Sequence, residues 1–234
     1  MAESASTVLA ISMITAAYLA MLSATPPNPT PEKKYRHNID RISFISGNFS
    51  TVARRICVAA VGYHGFLVGV AHYAPGRILQ SCPLVRNTNP ELFVWNQTSV
   101  TALLLIYVGT YVRLSAYNDL GECFTFHLAP PSRLVTTRIY SWIQHPSYTG
   151  LAMICLGSAF LFLRWDATPA CWIPETFLSQ LAGSGLGISV AVMGGVIWTL
   201  AMRVRDEEDM LRQKFGGEWE DWHRSTKRFI PGLL

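Results

Sequence analysis

The chain has 234 residues, of which 50% are hydrophobic and only 15% are charged. Soluble domains carry roughly 25% charged residues, so this composition excludes an ordinary soluble enzyme. The net charge is +4, but the basic residues lie beside apolar stretches and do not form a separate basic domain. We therefore predict no nucleic-acid partner and expect the lipid bilayer to be the surrounding medium.

Five stretches without Asp, Glu, Lys or Arg mark the predicted membrane-spanning elements. Each meets the roughly 20 residues that a helix needs to cross the bilayer core. They comprise residues 4–31, 56–76, 92–112, 139–163 and 176–202. The pattern predicts an all-α integral membrane protein with about five transmembrane helices in one membrane domain.

The first helix is predicted at 8–22, where prolines end it. No basic residue precedes it, so we expect a retained span rather than a cleaved signal peptide. The second and third helices are predicted at 56–73 and 92–111. A partly membrane-associated cytosolic loop follows at 118–144. The last two spans form a hairpin, the first from near Pro146 to before Arg164, the second at 181–202.

The basic residues are distributed unequally between the two faces of the predicted membrane. When loops alternate sides, 16 of the 19 Lys and Arg residues fall on one face, mainly in residues 24–55 and in the tail from Arg203. Cytosolic loops carry an excess of basic residues. This asymmetry predicts a cytosolic C-terminus and a short N-terminus on the other side.

The cysteines and two histidines offer weaker signals. Five cysteines are scattered and none form a C-x-x-C pair, so we expect buried, inert thiols and neither a disulfide framework nor a metal cluster. His64 and His72 lie eight residues apart on the second helix and are expected to share a face. A metal or proton role and simple packing are both open, with packing the commoner case.

The tail beyond Met202 carries an amphipathic pattern. Leu211, Phe215, Trp219 and Trp222 recur at spacings of four, four and three, which predicts one stripe of a helix. The helix could lie on the cytosolic membrane surface or pack onto the protein itself. The Gly-Gly pair at 216–217 is a candidate break.

Polar residues flank the two ends of the last hairpin. His145 lies where the fourth span begins, and Arg203 and Glu207 lie where the fifth ends. Antiparallel spans return to the same face, so these side chains are expected to converge at the cytosolic surface. A histidine at a helix start suits a carboxylate, and an arginine fork suits a second one. Glu207 and Glu208 suit an ammonium group or ribose hydroxyls. This set fits a zwitterionic cofactor beside an anionic, lipid-linked substrate; the alternative is that these residues are solvated anchors.

Two segments resemble signatures of the isoprenylcysteine carboxyl methyltransferase family. Residues 134–150 read Leu-Val-Thr-Thr-Arg-Ile-Tyr-Ser-Trp-Ile-Gln-His-Pro-Ser-Tyr-Thr-Gly, similar to its core signature. Residues 207–231, with Glu-Glu-x-x-Leu-x-x-x-Phe-Gly-x-x-Trp and then Thr-x-Arg-x-Ile-Pro, are similar to its C-terminal signature. Two positions depart from the pattern: Gln144, where many members have arginine, and Arg138, where glycine is common.

The resemblance implies an endoplasmic reticulum enzyme that transfers a methyl group from S-adenosylmethionine to the C-terminal carboxylate of a prenylated cysteine in CaaX-processed proteins. It implies three N-terminal transmembrane helices in 1–117 and the catalytic region in 118–234, with no metal. Arg203, which would hold the substrate carboxylate, and Glu207 are the expected catalytic residues. The expected cofactor-lining residues are Ser132, Arg133, Leu134, Val135, Tyr140, His145, Pro146, Ser147, Tyr148 and Glu207.

Three other hypotheses stay open at this point. The acceptor could be a phospholipid amine or another small amphiphile, although an amine must lose a proton and Arg203 would repel a cationic headgroup. The chain could be a fragment of a membrane sterol reductase using a nicotinamide cofactor, although it is short for that architecture. It could also be a non-catalytic membrane protein.

Overall fold

The computed structural model describes residues 2–32, 34, 36, 48–182 and 184–232, and the regular secondary structure of these residues is helical. The predicted all-α membrane fold is confirmed. Among these described residues, four helices are long and apolar enough to cross a membrane: Ser4–Ala24, Thr51–Tyr73, Gln97–Cys123 and Gly187–Phe215. The helices in chain order are α1 (Ala2–Ala24), α2 (Asn48–Tyr73), α3 (Ile78–Ser81), α4 (Gln97–Leu120), α5 (Pro146–Leu161), α6 (Glu175–Ala182), α7 (Gly185–Phe215) and α8 (Gly217–Ser225).

Helix α5 is shorter than the other four apolar helices. It has 16 residues, about 24 Å at a rise of 1.5 Å per residue, whereas the hydrocarbon core is about 30 Å thick. It begins at Pro146, as predicted, because proline lacks an N–H and its fixed φ suits the first helical position. The first charge-free residues before it belong instead to a 3₁₀ helix, which begins at the charged Arg138 and ends at Ser141.

Several helix boundaries differ from the sequence prediction, most of all those of α4 and α7. Helix α4 begins at Gln97 because Pro90–Phe93 forms a separate 3₁₀ helix, and it continues through Arg113 to Leu120. Helix α7 does not end near Met202 but continues to Phe215. A charge-free window measures the apolar thickness that a helix crosses, and backbone hydrogen bonding extends the same helix into its charged flank.

The chain divides into two compact units. The first comprises Met1–Leu22, Ala53–Val108 and Met153–Gly194. Glycines allow its helices to approach closely: a Cβ at Gly65 would lie 3.0 Å from the Cβ of Met13, and one at Gly157 would lie 2.6 Å from the carbonyl oxygen of Ala102. Small residues at helix contacts permit this packing within a membrane.

His64 is a packed residue of the first unit. Its ring is fully buried, and its two nitrogens lie 2.8 Å from Thr168 Oγ1 and 2.9 Å from the carbonyl oxygen of Leu92. The ring stacks on Phe93 with centroids 4.3 Å apart. Both nitrogens therefore have protein partners, which favours the packing interpretation over a metal or proton role.

A disulfide joins Cys82 and Cys171 in the first unit. The prediction of unpaired, buried thiols is wrong for these two residues. They lie 89 positions apart, and nothing in their local sequence links them; the fold brings together the segments after α2 and α5. Cys57, Cys123 and Cys155 are not part of this disulfide, and Cys57 is exposed rather than buried.

The second unit comprises Ser23–Val52, Gly109–Ala152 and Gly195–Leu234. The predicted tail stripe belongs to its core, since Leu211, Trp219 and Trp222 are buried and Phe215 packs against them. This supports packing onto the protein and not a stripe facing the membrane surface. The predicted break is confirmed at Gly216, whose φ of 53° lies in the left-handed region that favours glycine. The buried residues of this core are Ala116, Leu128, Tyr140, Met210, Leu211, Trp219 and Trp222.

Candidate active site

The entry to α5 is held by the C-terminal segment. The N–H of Gln144 donates to the carbonyl of Lys227 at 2.8 Å, and the N–H of His145 donates to that of Arg228 at 2.9 Å. The Thr149 hydroxyl donates to the carbonyl of Phe229 at 3.1 Å. The first N–H groups of a helix lack partners within it, so the tail carbonyls complete the hydrogen bonding just ahead of this helix.

Gln144 fastens α8 to the same segment. Its Nε2 donates to the carbonyls of His223 and Thr226 at 3.1 and 3.0 Å and to Thr226 Oγ1 at 2.9 Å. Its Oε1 accepts from Nδ1 of His223 at 2.8 Å. Burial lowers the pKa of His223 below its ordinary value, which favours the neutral ring. We call this set the Gln144 clamp. Arginine is common at this position in the family, and an arginine has no acceptor with which to replace Oε1.

His145 contacts a carboxylate that is itself paired with an arginine, an arrangement that the sequence pattern does not predict. Its Nε2 lies 3.1 Å from Oε1 of Glu208, and Arg228 donates to both oxygens of Glu208 at 2.8 and 2.9 Å. Glu208 therefore anchors protein groups and is not the ligand for an ammonium or ribose that its position beside Glu207 suggested. The sequence signal for this pairing was Arg228, the arginine of the C-terminal signature.

The second nitrogen of His145 faces no protein partner. His145 is 3% exposed, and its Nδ1 is buried without a hydrogen-bond partner among the described residues. Because Nε2 donates to Glu208, Nδ1 accepts a hydrogen bond in the neutral ring and donates one in the charged ring. The predicted donation to a carboxylate requires the charged ring, and contact with an ammonium group requires the neutral ring.

Glu207, Tyr148 and Arg203 form a second polar group. The Tyr148 hydroxyl donates to Oε2 of Glu207 at 2.6 Å, and Nε of Arg203 lies 3.3 Å from the same hydroxyl. Arg203 also donates through Nη2 to the carbonyl of Phe126 at 2.7 Å and is 5% exposed. The antiparallel arrangement thus brings together the residues at the start of α5 and those in the charged part of α7.

The remaining predicted cofactor residues differ in placement. Ser132 and Arg133 are exposed, while Leu134 and Val135 are partly buried against the core of the second unit. Tyr140 is a core residue whose carbonyl accepts from Nε1 of Trp222 at 2.9 Å. Burial raises the pKa of its hydroxyl well above the ordinary value, so the phenol stays neutral. Two of these five residues are therefore exposed and three pack in or against the core. Their roles in cofactor binding stay predictions.

Arg138, the second departure from the family pattern, has a physical consequence. It adopts a φ of 56° and is the one non-glycine residue with positive φ in the described part of the chain. Glycine adopts this conformation at no steric cost, which accounts for glycine in the family pattern. Arg138 compensates in part by approaching Oδ1 of Asp119 at 3.3 Å.

Comparison with known proteins agrees with the sequence signatures. A family model described as phospholipid methyltransferase matches residues 98–178. The chain is 26% identical over 145 residues to a protein named protein-S-isoprenylcysteine O-methyltransferase from Schizosaccharomyces pombe, covering 59% of this chain and 52% of that one. The resemblance inferred from the sequence is confirmed. Proteins of the same name from Dictyostelium discoideum and Homo sapiens are each 26% identical, over 62% and 61% of this chain and 53% and 44% of theirs. The chain spans about half the length of the curated relatives it matches.

Proposed function

We propose that this chain is a methyltransferase that uses S-adenosylmethionine to esterify the C-terminal carboxylate of a prenylated cysteine in CaaX-processed proteins. The observation that carries the proposal is the grouping of Arg203, Tyr148 and Glu207 at hydrogen-bond distance. His145 lies at the start of the same helix as Tyr148. The similarity to proteins named isoprenylcysteine O-methyltransferase supports this activity. Residues 118–234 would contain the catalytic region.

The polar residues fit the chemical groups of the proposed cofactor. The buried Nδ1 of His145 suits its ammonium group when the ring is neutral and its carboxylate when the ring is charged, and Glu207 suits ribose hydroxyls. Tyr148 and the start of α5 would line the same site. When bound, S-adenosylmethionine supplies an electrophilic methyl group on a positively charged sulfur.

The protein's own task in this reaction is positioning. A C-terminal carboxylate has a pKa near 3.5 and is ionised at neutral pH, so no residue has to remove a proton. Arg203 would hold this carboxylate, and its own orientation is fixed by Tyr148 and by the Phe126 carbonyl. Correct orientation of two reactants can contribute roughly 7–11 kcal/mol to lowering a barrier.

We propose the endoplasmic reticulum membrane as its location, with the C-terminus in the cytosol. The excess of basic residues in segments 24–55 and 203–228 supports this orientation. The Cys82–Cys171 disulfide lies in the two connections that the alternation of spans assigns to the other face. Disulfides persist in an oxidising lumen and are rare in the cytosol.

The test uses the full chain in phospholipid vesicles with labelled S-adenosylmethionine and N-acetyl-S-farnesylcysteine. Arg203→Ala should lose roughly 100-fold or more of base-labile methyl ester formation while still binding S-adenosylhomocysteine. Glu207→Ala should lose both. Arg205→Ala is the matched control, because Arg205 is exposed on the same helix, and it should retain activity. Wild-type activity in both site variants would contradict the site assignment.

A phospholipid amine is the second candidate acceptor, favoured by the description of the matching family model. An amine carries a proton that must leave before methylation, and the buried Arg203 would repel a cationic headgroup. Methyl label recovered in phosphatidylethanolamine derivatives instead of base-labile esters would favour this candidate. Failure of the wild-type chain to bind S-adenosylhomocysteine would favour a non-catalytic protein.

A further inference from the structure

Arg113 is a buried arginine within the apolar helix α4. It is 6% exposed and lies inside the candidate span Gln97–Cys123. Ionisable residues at membrane depth are rare and usually serve a site. Its Nε donates to the carbonyl of Ser23 at 2.8 Å, and its Nη1 donates to the carbonyl and to the hydroxyl of Ser147, each at 2.9 Å.

The charge of Arg113 has no acidic partner among the residues that the structure describes. Within the described ranges 2–32, 34, 36, 48–182 and 184–232, no carboxylate forms an ion pair with it, and Nη2 makes no hydrogen bond. The rings of Tyr117 and Phe126 lie 5.1 and 5.7 Å from its central carbon. Cation–π contacts offset part of the cost of burying a charge, but a buried guanidinium ordinarily pairs with an anion.

The position of Arg113 strengthens this expectation. Ser147 is the second residue of α5, so the guanidinium lies at the N-terminus of that helix. A helix N-terminus carries a partial positive charge, which destabilises a nearby cation and favours an anion. Two positive groups are thus buried together, and among the described residues no carboxylate lies within ion-pair distance of Arg113. Gly150 lies against this region, where a Cβ would be 2.9 Å from the Cβ of Arg113.

We propose that Arg113 and the first turn of α5 form a carboxylate-binding subsite, with Nη2 of Arg113 as the unused donor. The inference rests on the proposed function for the source of the carboxylate, which is either the amino-acid part of S-adenosylmethionine or the C-terminus of the prenylcysteine. Both groups are monovalent carboxylates, and a guanidinium fork matches their geometry.

The experiment compares ligands that differ only in this charge. Affinities are measured for S-adenosylhomocysteine and its decarboxylated analogue, and for N-acetyl-S-farnesylcysteine and its methyl ester, with wild type and Arg113→Gln. If the cofactor supplies the carboxylate, Arg113→Gln weakens S-adenosylhomocysteine on the order of 10- to 100-fold and leaves the decarboxylated analogue unchanged. If the prenylcysteine supplies it, the same loss appears for the free acid and not for the ester.

Arg113→Lys separates binding from folding. It keeps the positive charge, so it should retain part of the preference for the charged ligand, whereas a purely structural role would make both variants lose both ligands of a pair equally. An equal loss within each pair, or an unchanged preference in Arg113→Gln, overturns the proposal.

A third pair of ligands tests the subsite independently of the proposed function. If wild type binds neither ligand pair, the proposed function is wrong, and acetate then tests the subsite directly against acetamide, its neutral analogue of similar size. Thermal stabilisation of wild type by acetate, absent in Arg113→Gln, supports an anion subsite. Equal effects of acetate and acetamide on both proteins overturn it.

Discussion

Replacing Gln144 by leucine should release the C-terminal segment from the start of α5. Gln144 is 3% exposed, and its amide makes the four contacts of the Gln144 clamp. Leucine has a similar volume and keeps the apolar contacts. The two amide hydrogens serve three acceptors, so about three effective hydrogen bonds are lost. At roughly 0.5–1.5 kcal/mol each, docking of the segment should weaken by about 2–4 kcal/mol.

Hydrogen–deuterium exchange measures this docking locally. The N–H groups of Gln144 and His145 are protected by the carbonyls of Lys227 and Arg228, and they exchange when the tail undocks. A loss of about 2–4 kcal/mol corresponds to exchange that is roughly 30- to 1000-fold faster, since each 1.4 kcal/mol is a factor of ten. In Gln144→Leu the backbone N–H is still present at position 144, so the same peptide reports in both proteins.

Two variants control the interpretation. Gln213→Leu makes the same change at an exposed position of α7 and should leave the exchange unaltered. Gln144→Glu retains an acceptor for His223 but cannot donate to Thr226 when ionised, so it should also accelerate exchange. If Gln144→Leu changes exchange no more than Gln213→Leu does, the clamp contributes nothing to docking and the calculation is refuted.

Two further predictions concern stability. Arg138→Gly should be more stable than Arg138→Ala by roughly 0.5–1 kcal/mol. Both variants lose the Asp119 contact, but glycine avoids about 1–2 kcal/mol of left-handed strain at an entropic cost of about 0.5–1 kcal/mol. Thermal unfolding in detergent checks this difference, and a higher melting temperature for the alanine variant would contradict it. Replacing Cys82 and Cys171 by serine should lower the free energy of unfolding by about 2–4 kcal/mol. In wild type, a maleimide should label Cys57 without prior reduction and label the other two only after it; labelling of all three before reduction would rule out the disulfide.

The spacing of charged residues predicts the membrane helices because charge is costly in the bilayer, but it places the helix ends where charge resumes. Pro146 was placed correctly, since proline fixes a helix start by its own geometry. The end of α7 was not, because Arg203 and Glu207 are charged residues that continue the helix into the polar region. Apolar length and helix length are separate quantities, and only the first can be obtained from the spacing of charges.

The candidate site was partly accessible to the same reasoning. Antiparallel spans were expected to bring His145, Arg203 and Glu207 to one surface. The structure joins Arg203 and Glu207 through Tyr148, which lies on the helix that follows His145. The sequence does not predict which of Glu207 and Glu208 contacts His145. Glu208 lies one position further, about 100° around the helix, and that rotation directs it to His145 and Arg228.

The long-range pairings were inaccessible for a different reason. The Cys82–Cys171 disulfide and the Gln144–His223 contact join residues 89 and 79 positions apart, and no local pattern encodes such pairs. Gln144 was visible only as a departure from a family pattern. Its partners explain why the departure is compatible with the fold: an amide supplies both the donor that Thr226 needs and the acceptor that His223 needs.

These contacts also give a physical reason why the two sequence signatures occur in one chain. The segment before α5 has backbone N–H groups at Gln144 and His145 with no partner in the helix itself, and an unpaired buried N–H costs about 1–3 kcal/mol. The carbonyls of Lys227 and Arg228 satisfy them, and the Arg228 side chain fixes Glu208 and, through it, His145. Lys227 and Arg228 therefore do not need to touch a ligand to matter. They determine where the imidazole of His145 lies and leave Nδ1 as the ring nitrogen that a ligand can contact.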